Sequence, residues 1–297
     1  MKNKICLVTG ANSGIGKVTT RELYRQGAQV IMVCRNQEKA LQVKMDLEAQ
    51  YPKTGGKLDI VLGDLSRQDE VVKIARDVRQ RYRHLDVLIN NAGLVVQEKQ
   101  MTEDGIEYTF AVNHLAPFLL TSLLLDLLRQ SDEPRIINLS SEAHRMARFQ
   151  VSQLANPKKY NVMRAYGNSK LCNILFTRQL AQRLQPEGIT VNSVHPGFVN
   201  SNFGAGFSGI YKVIMTLSAP FSISSEAGAQ TSLYLATSPN VKGITGKYFV
   251  EKKVRKPSEA ALSDYYADQL WQLSEQLTQP DAKLRHLKER EAQPLAE

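Results

Sequence analysis

The sequence is poor in the residues that build disulfide and metal chemistry. Its three cysteines, Cys6, Cys34 and Cys172, each sit inside an apolar segment without CxxC spacing, so they read as reduced core thiols and leave no disulfide framework. The five histidines, His84, His114, His144, His195 and His286, show no HExxH or other ligand pairing, and no metal site is expected. No apolar run reaches the ~20 residues that a membrane-spanning helix needs. MKNK passes directly into the strand-like ICLVTG without a targeting segment, so a soluble, cytoplasmic chain is expected. Positive charge is in excess, 38 basic against 29 acidic residues for a formal +9, but it is dispersed. With neither zinc-finger spacing nor an aromatic-studded basic run, nucleic acid is a poor partner and an anionic small molecule a sufficient one. Internal repeats and interdomain linkers are also missing. The 297 residues, 42% hydrophobic and 23% charged, therefore read as one globular unit with ample core.

What is present is a regular alternation of short apolar strands and amphipathic helices, which predicts a single-domain α/β fold: a Rossmann-type, doubly wound parallel sheet with helices on both faces. The run KICLVT leads into GANSGIG and then a helix closed by Gly27. Strand, glycine turn and helix in that order make a phosphate site, because glycines let the backbone come close and a helix N-terminus offers unpaired N–H groups. Gly10, Asn12, Ser13, Gly14, Ile15 and Gly16 are the cofactor candidates here, although their spacing differs from GxGxxG. The second strand, AQVIMVC, ends at Arg35. An acidic residue at that address would bond the ribose 2′-OH of NAD, whereas a cation accommodates the 2′-phosphate of NADP, so Arg35 and Asn36 point to NADP(H); an ordinary solvated arginine is the competing reading.

Residues 37 to 50 and 67 to 82 read as helices. Asp64 and Leu65, between them, follow the strand KLDIVLGDL and suit an adenine edge, a helix cap being the plainer role for Asp64. NNAG follows the strand LDVLIN and adds Asn91, Ala92 and Gly93 to the ligand-facing edge. A helix from about 103 to 129 carries Asn113 in an apolar setting, where a structural hydrogen bond is the simplest account. PRIINLSS delivers Ser140 and Ser141 at a strand end, where a hydroxyl could hold a substrate carbonyl or simply form a turn. In the next helix, about 165 to 185, Tyr166 and Lys170 are four residues apart and share a face. A neighbouring cation stabilises phenolate, which makes Tyr166 a candidate acid or base. GITVNSVHPG is another buried strand, with Pro196, Gly197 and Val199 completing the cofactor set. The stretch of about 198–225 suits an apolar substrate lid, or a core helix from Ile210 to Leu217, and the two coexist. Ser225 opens a helix, GKYFV is the last strand, and a helix over about 258 to 277 holds Trp271. The domain is bounded at 1–280, and the charged tail 281–297 is expected to fray.

TGANSGIG, NNAG, Asn113, the serine pair and YGNSK, in this order, resemble the short-chain dehydrogenase/reductase family over roughly residues 4 to 250. Within it, HPG, the AH after the serines, SKLCNILFTRQLAQRL, GKYF and LWQLSEQL are similar to the retinol dehydrogenase and WW-domain oxidoreductase branch. The resemblance implies that Tyr166 is the acid/base, that Lys170 lowers its pKa and bonds the nicotinamide ribose, and that Ser141 anchors the carbonyl. It also implies that Asn113 holds a helix kink and a water. The separation of 25 residues from Ser141 to Tyr166 exceeds the family's common spacing, which suggests an insertion near the substrate mouth. The function expected is NADP(H)-dependent hydride transfer between nicotinamide and a carbonyl or alcohol of an apolar, retinal-like or other aldehyde or ketone substrate. A steroid or protochlorophyllide-like ring reductase is the nearer alternative, and a non-catalytic NADP(H)-sensing interaction protein the alternative of another class. Peripheral membrane contact through 207 to 221, and a homodimer through the helices carrying Asn113 and Tyr166, stay open as partners.

Overall fold

The computed structural model describes residues 1–199 and 222–292. Eight strands form one sheet in the order β3-β2-β1-β4-β5-β6-β7-β8. In chain order they are β1 (Ile5–Thr9), β2 (Gln29–Cys34), β3 (Lys57–Leu62), β4 (Val87–Asn90), β5 (Arg135–Leu139), β6 (Thr190–His195), β7 (Tyr248–Val250) and β8 (Lys253–Arg255). All neighbours run parallel except the β7–β8 pair. The short apolar strands are explained by burial on both faces, as the chain alternates within β1: Cys6 and Val8 belong to one core and Leu7 to the other. Helices α1 (Gly14–Arg25), α2 (Gln37–Gln50) and α6 (Ser225–Thr237) cover the first core. Helices α3 (Gln68–Arg81), α4 (Tyr108–Leu128) and α5 (Val162–Leu184) cover the second. Strand order reverses direction between β1 and β4, and a ligand crevice is placed at that switch point.

Helix α4 is long and apolar enough by composition to cross a membrane, although polar residues such as Asn113 and His114 interrupt its apolar runs. It is a central core helix, with 83% of its most apolar window buried inside the protein. Two expectations need correction. From Pro280 to Ala292 the tail is helical and packed: α8 (Pro280–Ala292) lies on α3 and α4, with Leu287 buried and Glu291 holding Arg79 through two hydrogen bonds of 2.7 and 3.0 Å. Finally, GKYFV is not the last strand, since Glu251 and Lys252 take left-handed φ values of 50° and 63° and turn the chain back into β8. Helix α7 (Asp264–Thr278) then packs on α5. Most of the lid at 198–225, including the helix from Ile210 to Leu217, lies outside the described residues. Its two ends are joined, as Ile223 donates its N–H to the Phe198 carbonyl at 2.7 Å.

Candidate active site

The glycine turn closes β1 onto α1. Gly10 has φ +66°, and a Cβ on Gly16 would stand 2.1 Å from the Gly10 carbonyl oxygen, so no other residue fits there. Ser13 is the N-terminal flank of α1, yet its side chain makes no capping bond, and the first turn carries no acidic residue. The amides of that turn are left to an anion. Asn91, expected to touch cofactor, lines the cleft and also braces the turn: its Nδ2 donates to the Thr9 carbonyl at 2.7 Å, while the Asn91 and Ala92 amides donate to Thr9 Oγ1 at 3.0 and 2.9 Å. Helix α6 approaches from the other side at Gly228, where a Cβ would meet Val199 at 2.6 Å and Ile15 at 3.3 Å.

At the end of β2, Arg35 stands over the cleft, 3.5 Å from an Asp64 oxygen and 3.4 Å from the Tyr108 hydroxyl. Asp64 is not a helix cap; its other oxygen accepts the Ser66 N–H at 2.8 Å within its own turn. The Asn36 side chain caps α2 by accepting the Lys39 N–H at 2.8 Å, leaving its backbone for any ligand. Sequence reasoning missed Tyr108. Its only signal was an aromatic placed near the start of α4.

The catalytic candidates meet at the ends of β5 and β6. Ser140 is buried and donates to the Lys170 carbonyl at 2.7 Å, so strand alternation turns Ser141 to the cleft. Ser141 Oγ accepts the Ala143 N–H at 3.2 Å, which leaves its proton for donation, and it is hydrogen-bonded to the Tyr166 phenol. Gly167 permits this approach of α5 to the serine turn: a Cβ there would lie 2.8 Å from the Ala143 carbonyl. Lys170 Nζ is buried, donates to the Leu139 carbonyl at 3.2 Å, and stands 5.5 Å from the Tyr166 ring centroid. Gly93 makes room for it, as a Cβ would come within 3.1 Å of Nζ. Burial pushes the Tyr166 phenol up to about 12, against the lowering effect of Ser141, and pushes Lys170 down to about 8. Loss of hydration is the larger influence on the tyrosine and outweighs the lowering by Ser141. Asn113 sits in a π-helical turn, Ala111–Leu115, which is the irregularity expected at this point in α4. Its side chain exchanges two hydrogen bonds with the Leu94 backbone, at 2.8 and 2.9 Å, and donates to Ser169 Oγ at 3.0 Å.

One cleft of about 820 Å³ runs from the glycine turn past Arg35 and Asp64 to Ser141, Tyr166 and Lys170; the predicted site residues Asn36 and Asn113 are not among those that line it. The sequence profile described as short chain dehydrogenase matches residues 4–208. The chain belongs to the short chain dehydrogenase family. Retinol dehydrogenase 14 of Mus musculus is 40% identical over 291 residues, covering 93% of this chain and 86% of that protein. WW domain-containing oxidoreductase of Gallus gallus is 37% identical, covering 93% and 68%. Among solved structures, the Pseudomonas aeruginosa RhlG/NADP active-site complex has a TM-score of 0.67 at 27% identity, covering 84% and 94%. The chain is thus an oxidoreductase resembling the retinol dehydrogenase branch of a family that uses nicotinamide cofactors. The uncapped α1 terminus and the glycine cradle that a Cβ would fill both fit such a dinucleotide.

In this short chain dehydrogenase the serine turn has supports that motif reading left aside. His195 accepts the Glu142 N–H on Nδ1 at 3.3 Å, and Tyr248 donates to the Glu142 carboxylate at 2.8 Å. His195 and Glu142 also line the cleft. The HPG motif was a signal for the first; nothing local foretold the second.

Proposed function

We propose that the protein is an NADP(H)-dependent reductase of apolar aldehydes or ketones that also oxidises the matching alcohols. The observation that carries this reading is the convergence of Ser141, Tyr166 and Lys170 at one end of the cleft whose other end holds Arg35. Arg35 supports NADP(H) over NAD(H), since no carboxylate ends β2 to bond a free ribose hydroxyl, and its guanidinium suits a phosphate. The apolar substrate follows from the mouth, where Met146, Met163 and Phe198 are exposed beside the polar centre. Bound along the glycine turn, the nicotinamide dinucleotide supplies or accepts the hydride. Ser141 donates a hydrogen bond to the carbonyl oxygen and fixes its position. Tyr166, held protonated by burial at neutral pH, delivers its proton to the oxygen as negative charge develops there. Lys170 keeps a positive charge beside the phenol and so stabilises the phenolate left behind. Asn113 holds the Leu94 segment against α5 and keeps this wall of the site in place.

An NADPH-consumption screen across retinal, aliphatic aldehydes, steroids and quinones tests the assignment. On the best substrate, Tyr166→Phe is expected to lower kcat by about 10²- to 10⁴-fold while NADPH binding persists. Absence of NADPH binding by the purified protein, or unchanged turnover of the variant, refutes the reading.

A further inference from the structure

His144 lies three residues beyond Ser141 and is 1% exposed. Its two ring nitrogens have different partners. Ser258 donates its backbone N–H to Nε2 at 3.0 Å, so Nε2 is the acceptor. That places the ring proton on Nδ1, which lies 2.7 Å from the Ser141 carbonyl oxygen and donates to it. The His144 amide donates to the same oxygen at 3.0 Å, so two bonds hold the peptide plane that follows Ser141. The imidazole meets Tyr248 edge-on, with ring centroids 5.1 Å apart. Arg145 ties the turn to the Lys256 carbonyl at 2.9 Å. Everything on the far side of these contacts comes from residues 248–258, beyond the 4–208 matched by the family profile.

The geometry points to His144 as a positioning residue, a strut that aims the Ser141 hydroxyl by joining the serine turn to the segment Lys256–Ser258. This rests on the reading of Ser141 as the group that holds the carbonyl oxygen. A histidine that merely fills the core needs only a ring; a strut needs both nitrogens in fixed and opposite roles. Ser141 Oγ already accepts the Ala143 N–H, so the direction left to its O–H is set by how the turn is seated. Burial, which holds the imidazole below its ordinary pKa, favours the neutral form that both contacts require.

The strut is separable from core packing by substitution. His144→Phe keeps a ring against Tyr248 and removes both hydrogen bonds. Ser258→Pro removes only the N–H that meets Nε2: Ser258 has φ −64°, which proline adopts, and its own hydroxyl is buried without a hydrogen-bond partner among the described residues. His144→Asn retains an amide donor for the Ser141 carbonyl. In NADPH-driven reduction of the best carbonyl substrate, kcat is expected to fall about fivefold or more for His144→Phe and Ser258→Pro, the effect of one hydrogen bond, with the KM for NADPH unchanged. His144→Asn recovers part of the loss. Imidazole ¹⁵N spectra of the wild-type protein without added cofactor show the neutral Nδ1–H tautomer. An Nε2–H tautomer, or wild-type kcat in Ser258→Pro while Ser141→Ala is impaired, overturns the strut alone. Wild-type kcat in Ser141→Ala overturns the reading of Ser141 and the strut with it.

Discussion

Gly167→Ala sets two computable effects against each other. In the interior of α5 the substitution gains about 1 kcal/mol of helix propensity. The added Cβ would lie 2.8 Å from the Ala143 carbonyl oxygen, 3.4 Å from the Ala147 nitrogen and 3.6 Å from the Met146 carbonyl carbon. All three are backbone atoms, so no flexible side chain can swing aside. Restoring an ordinary contact of 3.4 Å to the nearest requires the serine turn and α5 to separate by roughly 0.6 Å, the difference between 3.4 and 2.8. Overpacking of this kind costs about 1–3 kcal/mol, which the propensity gain largely offsets, so Tm is expected to fall by no more than a few degrees. Catalysis has no such compensation. Ser141 and Tyr166 lie on the two bodies forced apart, and displacement of a reacting group by about 1 Å costs on the order of 10²-fold. A drop in kcat on the order of 10-fold, with NADPH affinity retained, is therefore expected from steady-state NADPH oxidation run beside differential scanning fluorimetry. An alanine variant with wild-type kcat would refute the argument that this glycine sets the distance between serine turn and tyrosine.

Three further outcomes follow from the same geometry. Arg35→Ala should weaken NADPH by about 10- to 100-fold, the range for a lost charge-assisted contact, and leave NADH nearly unchanged; equal losses for both in a fluorescence titration would count against a phosphate role. Leu287→Ala, which empties a buried contact between α8 and the core, should cost about 2–5 kcal/mol in urea unfolding, and a value under about 1 kcal/mol would mean that α8 does not share the core. Burial holds His114, His144 and His195 below the ordinary histidine value, His114 down to about 3. Below about pH 6.5 the unfolded chain then binds more protons than the folded one, so stability is full above that pH and declines as pH falls. His114 alone should contribute a loss of roughly 2 kcal/mol by pH 5, and unfolding curves that coincide at pH 7.5 and pH 5 would rule this out.

The alternation of strands and helices and the glycine turn were legible because each is local. A strand of five residues, two close-packed glycines and a helix start fall within one short window, and period two says that only one of Ser140 and Ser141 faces the site, the choice of Ser141 resting on the family resemblance. What escaped depends on partners far along the chain. Helix α8 brings Leu284 and Leu287 to the core, and its charges look solvated until Arg79 and Asp126 are brought to Glu291 and Lys288. The sequence shows that Lys170 is one turn from Tyr166, but the desolvation that dominates the phenol is contributed by the surrounding fold. Asn36, assigned to ligand by its address beside Arg35, also forms a helix cap that its local chemistry, an Asn immediately before a helix, already favours.

Stretches far apart in sequence converge on the Ser141–Met146 turn, and each supplies a contact of a different kind. From β6 comes His195, accepting the Glu142 amide; from α5 comes Gly167, whose missing Cβ lets the helix approach; from β7 comes Tyr248, bonding the Glu142 carboxylate; and from beyond β8 comes Ser258, meeting His144. A short 3₁₀ turn has few internal hydrogen bonds with which to hold a side chain. Its rigidity must then be imported, and the importing groups are polar or small rather than bulky, which is why hydrophobic periodicity gave no hint of them. The C-terminal residues of β7 and of the Lys256–Ser258 segment consequently help to hold the serine turn that faces YGNSK, even though they carry none of the motif residues themselves.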